Sequence, residues 1–315
     1  MNLRRLGNSG IEVSPLVFGG NVFGWTADEP TSFKLLSAFF AAGFNAIDTA
    51  DTYSRWAQGH TGGESETIIG KWMKQQGNRE KVIVATKVGM EMGPQKKGLS
   101  KSYILREAED SLKRLQTDYI DLYQSHTDDQ SVPLEETLEA YAELIKQGKV
   151  RAIGASNYGA KRLAEAIAVS KKNGLPRYES LQPKYSLIER ADYEAELEPL
   201  CLKENIGVIN YFPLAAGFLT GKYRYEADLS KSPRGQGVKK YLDGRGLKIL
   251  KALDQVAAAH EVKPAAVALA WLLARRGITA PIVSATSVEQ LNDLLPAATL
   301  KLDSVSIDLL NQASA

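Results

Sequence analysis

Eight short apolar runs, alternating with helical patterns, dominate this 315-residue chain. Continuous apolar runs of this length are typical of parallel strands that are buried on both faces. Eight strand–helix units favour an α/β fold of the closed (β/α)8 type, a TIM barrel. Such barrels carry their chemistry at the carboxyl ends of the strands, so the residues that end the eight runs are the first candidates for a functional site.

Seven of the eight runs end in a side chain that can hydrogen-bond or carry charge, and only the first, LVFGG, ends in glycine. The barrel fold predicts that these side chains form one ring around one pocket. In chain order they are Asp48, Lys87, Gln124 with His126, Ser156 with Asn157, Gln182, Tyr211 and Ser284.

Additional elements are predicted at both ends of the barrel. The segments Leu3 to Leu6 and Ile11 to Val13, joined by the turn sequence GNSG, predict an N-terminal β-hairpin that could plug the barrel's bottom. Helical patterns over Val288 to Leu295 and Val305 to Asn311 predict additional C-terminal helices. Since no linker interrupts the chain, we expect a single domain over residues 1–315.

Helical patterns occupy most connections between the runs. The first helix is predicted to begin at Thr31 or Ser32 and to stop at Gly43, because hydroxyl groups cap helix N-termini and glycine ends helices. The sixth is predicted over Asp192 to Asn205. The connection from Tyr211 to about Asp243 differs, since it is long and rich in Gly, Lys, Arg and Tyr. Long loops in compact domains are usually functional.

Composition limits the classes of partner. Lys plus Arg total 39 against 37 for Asp plus Glu, without a basic run, so no nucleic-acid surface is expected. The N-terminus has no apolar signal core and no stretch of 18 apolar residues occurs, which favours a cytoplasmic protein without membrane contact. The one cysteine, Cys201, fits a packing role in a reducing compartment. Histidines at positions 60, 126 and 260 lack metal-ligand spacing, so no metal is expected.

Asp48, Tyr53, Lys87 and His126 could act together on a carbonyl group. Tyr53 follows Asp48 by five residues in DTADTYS, so its loop could fold back over the barrel mouth. The ammonium of Lys87 would lower the tyrosine pKa from its usual value near 10, and Asp48 could hold that ammonium charged. His126 could donate to the carbonyl oxygen, which would give general acid catalysis with oxyanion stabilisation. Each residue alone also fits an ordinary structural role: Asp48 could cap a helix, Tyr53 could be an aromatic residue at the rim, Lys87 a surface lysine, and His126 a loop histidine with its hydrogen bonds satisfied.

The chain resembles the aldo-keto reductases. DTADTYS, ATKVG, DLYQSH, RAIGASN, LQPKYSLIER, YFPLAAGFLTGKY and SATSVEQL stand in the family order from near the start to near the end. Within the family it looks closest to the bacterial reductases similar to potassium-channel β-subunits. The resemblance implies NADP(H)-dependent reduction of aldehydes or ketones to alcohols. It also implies that Asp48, Tyr53, Lys87 and His126 are the catalytic tetrad, with Tyr53 as proton donor.

A nicotinamide cofactor site is implied by the same resemblance. Ser156, Asn157 and Gln182 offer hydroxyl and amide groups that suit a carboxamide, although ordinary loop hydrogen bonding is the alternative. Tyr211 could stack on the nicotinamide ring. Further contacts are implied on the long loop, which would wrap the pyrophosphate, and after the eighth run. They are Phe212, Leu214, Gly217, Leu219, Gly221, Lys222, Arg234, Ser284, Thr286, Gln290 and Asp293.

The choice between NADP and NAD rests on mixed signals. No Lys or Arg occurs between Ser284 and Leu295, so that segment cannot neutralise a 2′-phosphate, and Leu294 replaces a common adenine-contacting Asn. Arg234, in KSPRGQG, matches a basic residue that binds the 2′-phosphate in the channel-subunit-like relatives, which favours NADP and leaves NAD possible. Other nucleotide sites are excluded, because no G-x-G-x-x-G follows the first run and AGFLTGKY has Tyr223 where a P-loop needs Ser or Thr.

Trp25, Arg55 and Trp56 lie in the first two βα loops, beside the expected tetrad. Aromatic rings with one cation suit a sugar-like or aromatic small-molecule carbonyl, or ordinary loop packing. Two other functions stay open: a nucleotide-sensing regulatory subunit with vestigial hydride chemistry, and a barrel isomerase or lyase without nicotinamide. The sequence leaves the physiological substrate, the favoured direction and the oligomeric state undefined.

Overall fold

A computed structural model describes residues 2–232 and 234–315, and a sheet of eight parallel strands forms its centre. An antiparallel hairpin of β1 (Arg4–Arg5) and β2 (Glu12–Val13) precedes the sheet. The parallel strands are β3 (Val17–Gly19), β4 (Ala46–Asp48), β5 (Ile83–Val88), β6 (Ile120–Ser125), β7 (Val150–Ser156), β8 (Ser180–Gln182), β9 (Gly207–Val208) and β10 (Ile282–Val283). Each coincides with one of the eight apolar runs.

The sheet closes on itself. β10 pairs with β3, and every strand from β3 to β8 pairs with its successor in the chain. The remaining seam is closed by backbone hydrogen bonds, from Thr279 N–H to the Val208 carbonyl at 2.8 Å and from Ile282 N–H to the Asn210 carbonyl at 2.9 Å. The predicted (β/α)8 barrel is therefore confirmed.

The hairpin lies against the barrel's amino-terminal end, as predicted. Leu6, Ile11 and Val13 are buried in one apolar cluster with residues of the strands and their flanks. Those partners are Val17, Ala46, Ala85, Leu122, Ala152, Ile209, Ala280 and Ile282. Because side chains alternate along a strand, the residues two positions beyond Ala46, Ala85 and Leu122 face the same interior, one layer higher. They are Asp48, Lys87 and Gln124, so an apolar floor supports a polar layer at the carboxyl end.

Helices form the outer layer of the barrel. They are α1 (Glu29–Ala41), α2 (Glu64–Gln76), α3 (Lys101–Leu115), α4 (Leu134–Lys146), α5 (Ala160–Asn173), α6 (Glu198–Glu204), α7 (Gly244–Ala259), α8 (Pro264–Leu273), α9 (Val288–Leu294) and α10 (Ser304–Ser314). α9 and α10 are the predicted C-terminal helices. In the described part of the chain no single helix is long and apolar enough to span a membrane, and α7 with α8 passes that test only as a pair bent by 94°.

Two helix predictions need correction, and one helix was missed. α1 begins before Thr31, because Asp28 is its N-cap and accepts a hydrogen bond from the Thr31 N–H at 2.9 Å. The helix predicted over residues 192–205 is a π-helical turn, Tyr193–Leu197, followed by α6. α7 was not predicted, although Asp243 caps it in the same manner as Asp28. Glycines at positions 244 and 246 weaken its helical signal, because glycine is a poor helix former.

The long connection between β9 and α7 is folded against the barrel. It contains three short segments with 3-10 hydrogen bonding, Ala215–Thr220, Glu226–Lys231 and Gly235–Tyr241. Leu219 and Val238 from this connection are fully buried. The predicted long loop is therefore a packed part of the barrel's carboxyl end.

Candidate active site

Lys87 is the centre of a buried polar network at the carboxyl end of the barrel. Its ammonium donates to Asp48 Oδ2 at 2.7 Å, to the Thr49 carbonyl at 2.8 Å and to Tyr53 Oη at 2.9 Å. Lys87 and Asp48 are 0% and 1% exposed. A buried ion pair is tolerated only when hydrogen bonds satisfy the remaining groups, and here all three ammonium protons have acceptors. The network thus holds the lysine against the phenol oxygen.

Two glutamines complete the surroundings of Asp48. Gln182 Nε2 donates to Asp48 Oδ1 at 2.8 Å, and Gln124 Nε2 lies 3.5 Å from the same oxygen. The Gln182 amide also lies 3.4 Å from Gln124 Oε1, so both of its N–H groups have acceptors inside the barrel. Sequence reasoning gave Gln124 no role, although its place at the end of an apolar run was the available signal.

The surroundings of Tyr53 keep its phenol protonated. Burial raises the pKa of Tyr53 well above its usual value, and the Asp48 carboxylate, 3.4 Å from the hydroxyl, raises it further. The Lys87 ammonium opposes both effects, since a positive charge favours the phenolate. The pKa of Lys87 is itself lowered by burial, against the opposing effect of Asp48. The predicted lowering of the Tyr53 pKa is wrong for this structure, because burial outweighs the ammonium.

His126 lies beside Tyr53, with the two ring centroids 5.9 Å apart in an edge-to-face arrangement. Burial and the nearby Lys87 charge hold the pKa of His126 well below its usual value, so the imidazole is neutral at pH 7. Its Nδ1 is buried and has no hydrogen-bond partner among the residues described. A neutral imidazole has one N–H to donate, which suits a donor to a carbonyl oxygen.

Ser156, Asn157 and Tyr211 form a second connected group beside this network. Tyr211 Oη donates to Asn157 Oδ1 at 2.9 Å, and Asn157 Nδ2 donates to the His126 carbonyl at 2.9 Å. Ser156 Oγ donates to the Gln182 carbonyl at 3.0 Å. Asn157 has a φ of 58°, which asparagine tolerates better than most residues. These contacts bring the ends of β6, β7, β8 and β9 together, as predicted from the ring of strand ends.

Apart from Arg234, the predicted residues of the long loop lie between positions 212 and 222, just after β9. Phe212 and Leu214 are half-buried at its start, and Leu219 is fully buried. Gly217 has a φ of 91°, and a Cβ there would lie 3.2 Å from the ammonium of Lys222. Glycine therefore lets this lysine fold back over the turn. Gly221, next to Lys222, also has a positive φ of 80°.

The predicted residues after β10 form a separate group. Ser284 Oγ donates to Asn21 Oδ1 at 2.7 Å, a contact that sequence reasoning missed. Gln290 Oε1 accepts from both the backbone N–H and the hydroxyl of Thr286 at 3.0 Å. Gln290 and Asp293 are exposed on α9. These side chains leave polar atoms open to solvent at this rim of the barrel.

Trp25 and Trp56 form an aromatic wall next to Tyr53. Their rings meet edge to face with centroids 5.7 Å apart, and the Trp56 ring lies 6.0 Å from the Tyr53 ring. Arg234 covers this wall, with its guanidinium carbon 5.2 Å from the Trp25 ring centroid. Arg55 is exposed and donates to the Glu91 carbonyl. The structure thus places Trp25 and Trp56 beside Tyr53. The arginine next to these rings is Arg234, which the sequence suggested for the cofactor.

Known proteins similar to this chain match nearly all of it. The family model described as Aldo/keto reductase family matches residues 15–315. The chain is 39% identical to the uncharacterized oxidoreductase YrpG of Bacillus subtilis (strain 168), covering 99% of this chain and 95% of that protein. It is 35% identical to aldo-keto reductase AFTS1 of Alternaria alternata, covering 95% and 88%. It is 33% identical to protein tas of Escherichia coli (strain K12), covering 96% and 94%.

Proposed function

The chain belongs to the aldo/keto reductase family, and on that basis we propose that it reduces aldehydes or ketones to alcohols with NADPH and that Tyr53 is the proton donor. Members of this family are NAD(P)H-dependent oxidoreductases that act on small-molecule carbonyl compounds. The main support for Tyr53 as proton donor is the buried Lys87 ammonium, which lies 2.9 Å from the Tyr53 hydroxyl and 2.7 Å from Asp48.

The roles of the four residues follow from their charges. A nicotinamide bound at this site would supply a hydride to the carbonyl carbon, and negative charge would then develop on the carbonyl oxygen. Tyr53 gives its phenol proton to that oxygen, while the neutral His126 donates a hydrogen bond to it. Lys87 stabilises the phenolate that remains, because its ammonium already contacts the phenol oxygen. Asp48 keeps Lys87 charged and fixed, so its effect on the reaction is indirect.

The side chains around the network suit a dinucleotide. Lys222 has no carboxylate partner within salt-bridge distance in the described ranges, and the glycine at position 217 lets its ammonium lie against the turn that precedes it. A cation in such a place suits a pyrophosphate. We assign Ser156, Asn157, Gln182 and Tyr211 to the nicotinamide end. The pyrophosphate and adenosine contacts are assigned to Phe212, Leu214, Gly217, Leu219, Gly221, Lys222, Ser284, Thr286, Gln290 and Asp293.

The preference for NADPH over NADH depends on which cations lie near the cofactor's 2′-phosphate. α9 and the segment before it contain no Lys or Arg, so a 2′-phosphate would depend on cations of the long loop, Lys222 or Arg234. Titration of cofactor fluorescence at one fixed salt concentration tests this preference. Tighter binding of NADPH is expected, and equal affinity for NADH and NADPH would contradict it.

The direct test of the proposed function is multiple-turnover oxidation of NADPH with a panel of aldehydes. Wild type should complete many turnovers, and Tyr53→Phe should lose a factor on the order of 10²–10⁴ in rate because general acid catalysis is removed. Cofactor binding by the variant should be unchanged, since the phenol is not assigned to the cofactor. Binding of NADPH without turnover by wild type would instead favour a nucleotide-sensing subunit. A Tyr53→Phe variant with a normal rate would refute Tyr53 as the donor.

A further inference from the structure

Arg234 lies against the aromatic wall beside Tyr53. Its guanidinium carbon lies 5.2 Å from the centre of the Trp25 ring, and that ring contacts Trp56 edge to face. Trp56 in turn lies 6.0 Å from the Tyr53 ring. A cation and two indole rings thus stand together beside the phenol that is proposed to deliver the proton.

Most part-buried arginines of the barrel have a carboxylate partner. Arg79, Arg114, Arg162 and Arg190 each lie within 3.0 Å of a carboxylate oxygen. Arg4 has none among the described residues, but it donates to the carbonyls of Leu273, Ile278 and Thr279, whereas the Arg234 side chain makes no hydrogen bond to the residues described. Arg234 has no carboxylate within salt-bridge distance in residues 2–232 and 234–315, and its side chain is removed from much of the solvent. Burial accordingly lowers the pKa of Arg234. A desolvated guanidinium is costly unless an anion accepts from its N–H groups, so this arginine points to an anionic ligand.

Two sources could provide that anion: the 2′-phosphate of the cofactor or an acidic group on the carbonyl substrate. The contacts favour the substrate, because Arg234 covers the ring that leads to Trp56 and Tyr53. The polar groups that we assign to the adenosine end, Thr286 and Gln290, hydrogen-bond to each other after β10. They make no hydrogen bond to Arg234 among the described residues.

We propose that Arg234, Trp25 and Trp56 form a specificity subsite for aromatic carbonyl substrates that carry a carboxylate. The indole rings would contact the substrate's aromatic ring, and the guanidinium would bind its carboxylate, for which the planar fork of arginine is well suited. The inference rests on the proposed reductase function. It adds a substrate class to that function, and it assigns Arg234 to the acceptor in place of the 2′-phosphate.

The test compares two aldehydes that differ by one charge, 4-carboxybenzaldehyde and its neutral methyl ester, methyl 4-formylbenzoate. Wild type should show the lower KM for the carboxylate. Arg234→Ala should raise that KM about ten-fold, the low end for a charge-assisted hydrogen bond because the guanidinium keeps some contact with solvent. It should leave the ester's KM and both kcat values nearly unchanged. Lys239→Ala is the matched control, because Lys239 is a cation of the same segment that pairs with Glu226 at 3.3 Å. It should change neither aldehyde.

A second measurement separates this inference from the proposed function. Quenching of tryptophan fluorescence by 4-(hydroxymethyl)benzoate, the expected product, reports on the subsite without turnover, and Arg234→Ala should weaken it about ten-fold. If wild type turns over neither aldehyde, the reductase proposal fails, whereas charge-dependent quenching still supports the subsite. An Arg234→Ala variant that treats both aldehydes as wild type does would overturn the subsite. The subsite would also be overturned if Arg234→Ala lost NADPH affinity relative to NADH while the KM values for the two aldehydes stayed equal to each other, since the anion bound by Arg234 would then be the 2′-phosphate.

Discussion

Replacing Lys87 by methionine should separate the structural from the chemical role of its ammonium. Methionine keeps a long, unbranched side chain but removes the charge. At 2.7 Å and an effective dielectric constant of about 20, the attraction between Lys87 and Asp48 is about 6 kcal/mol, and desolvation of both groups offsets much of it. Removing one partner of such a buried pair usually costs about 3–5 kcal/mol, because the other charge stays buried. We therefore expect the free energy of unfolding of Lys87→Met to fall by that amount.

The effect of the same variant on catalysis comes from a different contact. The 2.9 Å hydrogen bond from Lys87 to Tyr53 Oη strengthens as the phenolate forms, and a bond to a charged group contributes about 1.5–3 kcal/mol. Losing it should lower kcat for carbonyl reduction about ten- to 150-fold. Single-turnover oxidation of NADPH, with enzyme in excess over NADPH and aldehyde at saturation, measures this step without interference from product release.

A double variant tests whether the two effects are separate. Asp48→Asn removes the carboxylate that Lys87→Met leaves unpaired, while its amide can still accept from Gln182. Lys87→Met with Asp48→Asn should therefore regain part of the lost unfolding free energy, measured by urea denaturation, without regaining activity. If the single variant unfolds within about 1 kcal/mol of wild type, the buried ion pair is not the structural centre of the site. If its single-turnover rate is also unchanged, the Tyr53–Lys87 coupling is refuted.

Three further predictions concern pH and individual side chains. The rate of reduction should be flat from about pH 6 to 8, because burial holds the pKa of His126 well below 6.5 and that of Tyr53 well above 10, so neither residue changes protonation in this window. A step in the pH–rate profile near pH 6.5 would contradict this reasoning. His126→Ala should lower kcat/KM for carbonyls and leave NADPH affinity nearly intact, and a collapse of cofactor binding would make His126 structural. Lys222→Ala should weaken both NADPH and NADH in a fluorescence titration, because the pyrophosphate is common to both. It should weaken NADPH more, because the assignment of Arg234 to the substrate leaves Lys222 as the cation of the proposed cofactor site for the 2′-phosphate. Equal weakening of the two cofactors would restrict Lys222 to the pyrophosphate.

The barrel and the polar layer could be predicted because both follow from local patterns. Each strand is a short apolar run, and strand periodicity places Asp48 above Ala46 and Lys87 above Ala85. The closed topology then brings strand ends together that are far apart in the sequence, without any need to know individual contacts. This is why Asp48, Lys87 and Gln124 could be expected at one end of the barrel, and why Tyr53 could be expected beside them.

Other properties of the site depend on tertiary contacts that no local pattern encodes. The pKa of Tyr53 was predicted in the wrong direction, because the sequence shows that a lysine is available but not how deeply the phenol is buried. The position of Arg234 on Trp25 depends on how the long connection after β9 packs across the barrel mouth. The missed helix α7 has a simpler cause, since its glycines weaken the helical pattern on which the prediction depended.

The hydrogen bonds of Gln182 restrict how a nicotinamide carboxamide can bind at this site. Both N–H groups of Gln182 have acceptors, on Asp48 and on Gln124, so only its Oε1 is left to receive a hydrogen bond. In the proposed complex, the carboxamide nitrogen would therefore donate to Gln182, and the carboxamide oxygen would need its donor elsewhere. Asn157 and Ser156 supply N–H and O–H groups nearby, but each already has acceptors: the His126 carbonyl and Ser156 Oγ for Asn157, and the Gln182 carbonyl for Ser156. Cofactor binding would thus exchange one of these internal hydrogen bonds for one to the carboxamide, and exchange of the Asn157–His126 bond would couple the nicotinamide end of the site to the backbone beside His126.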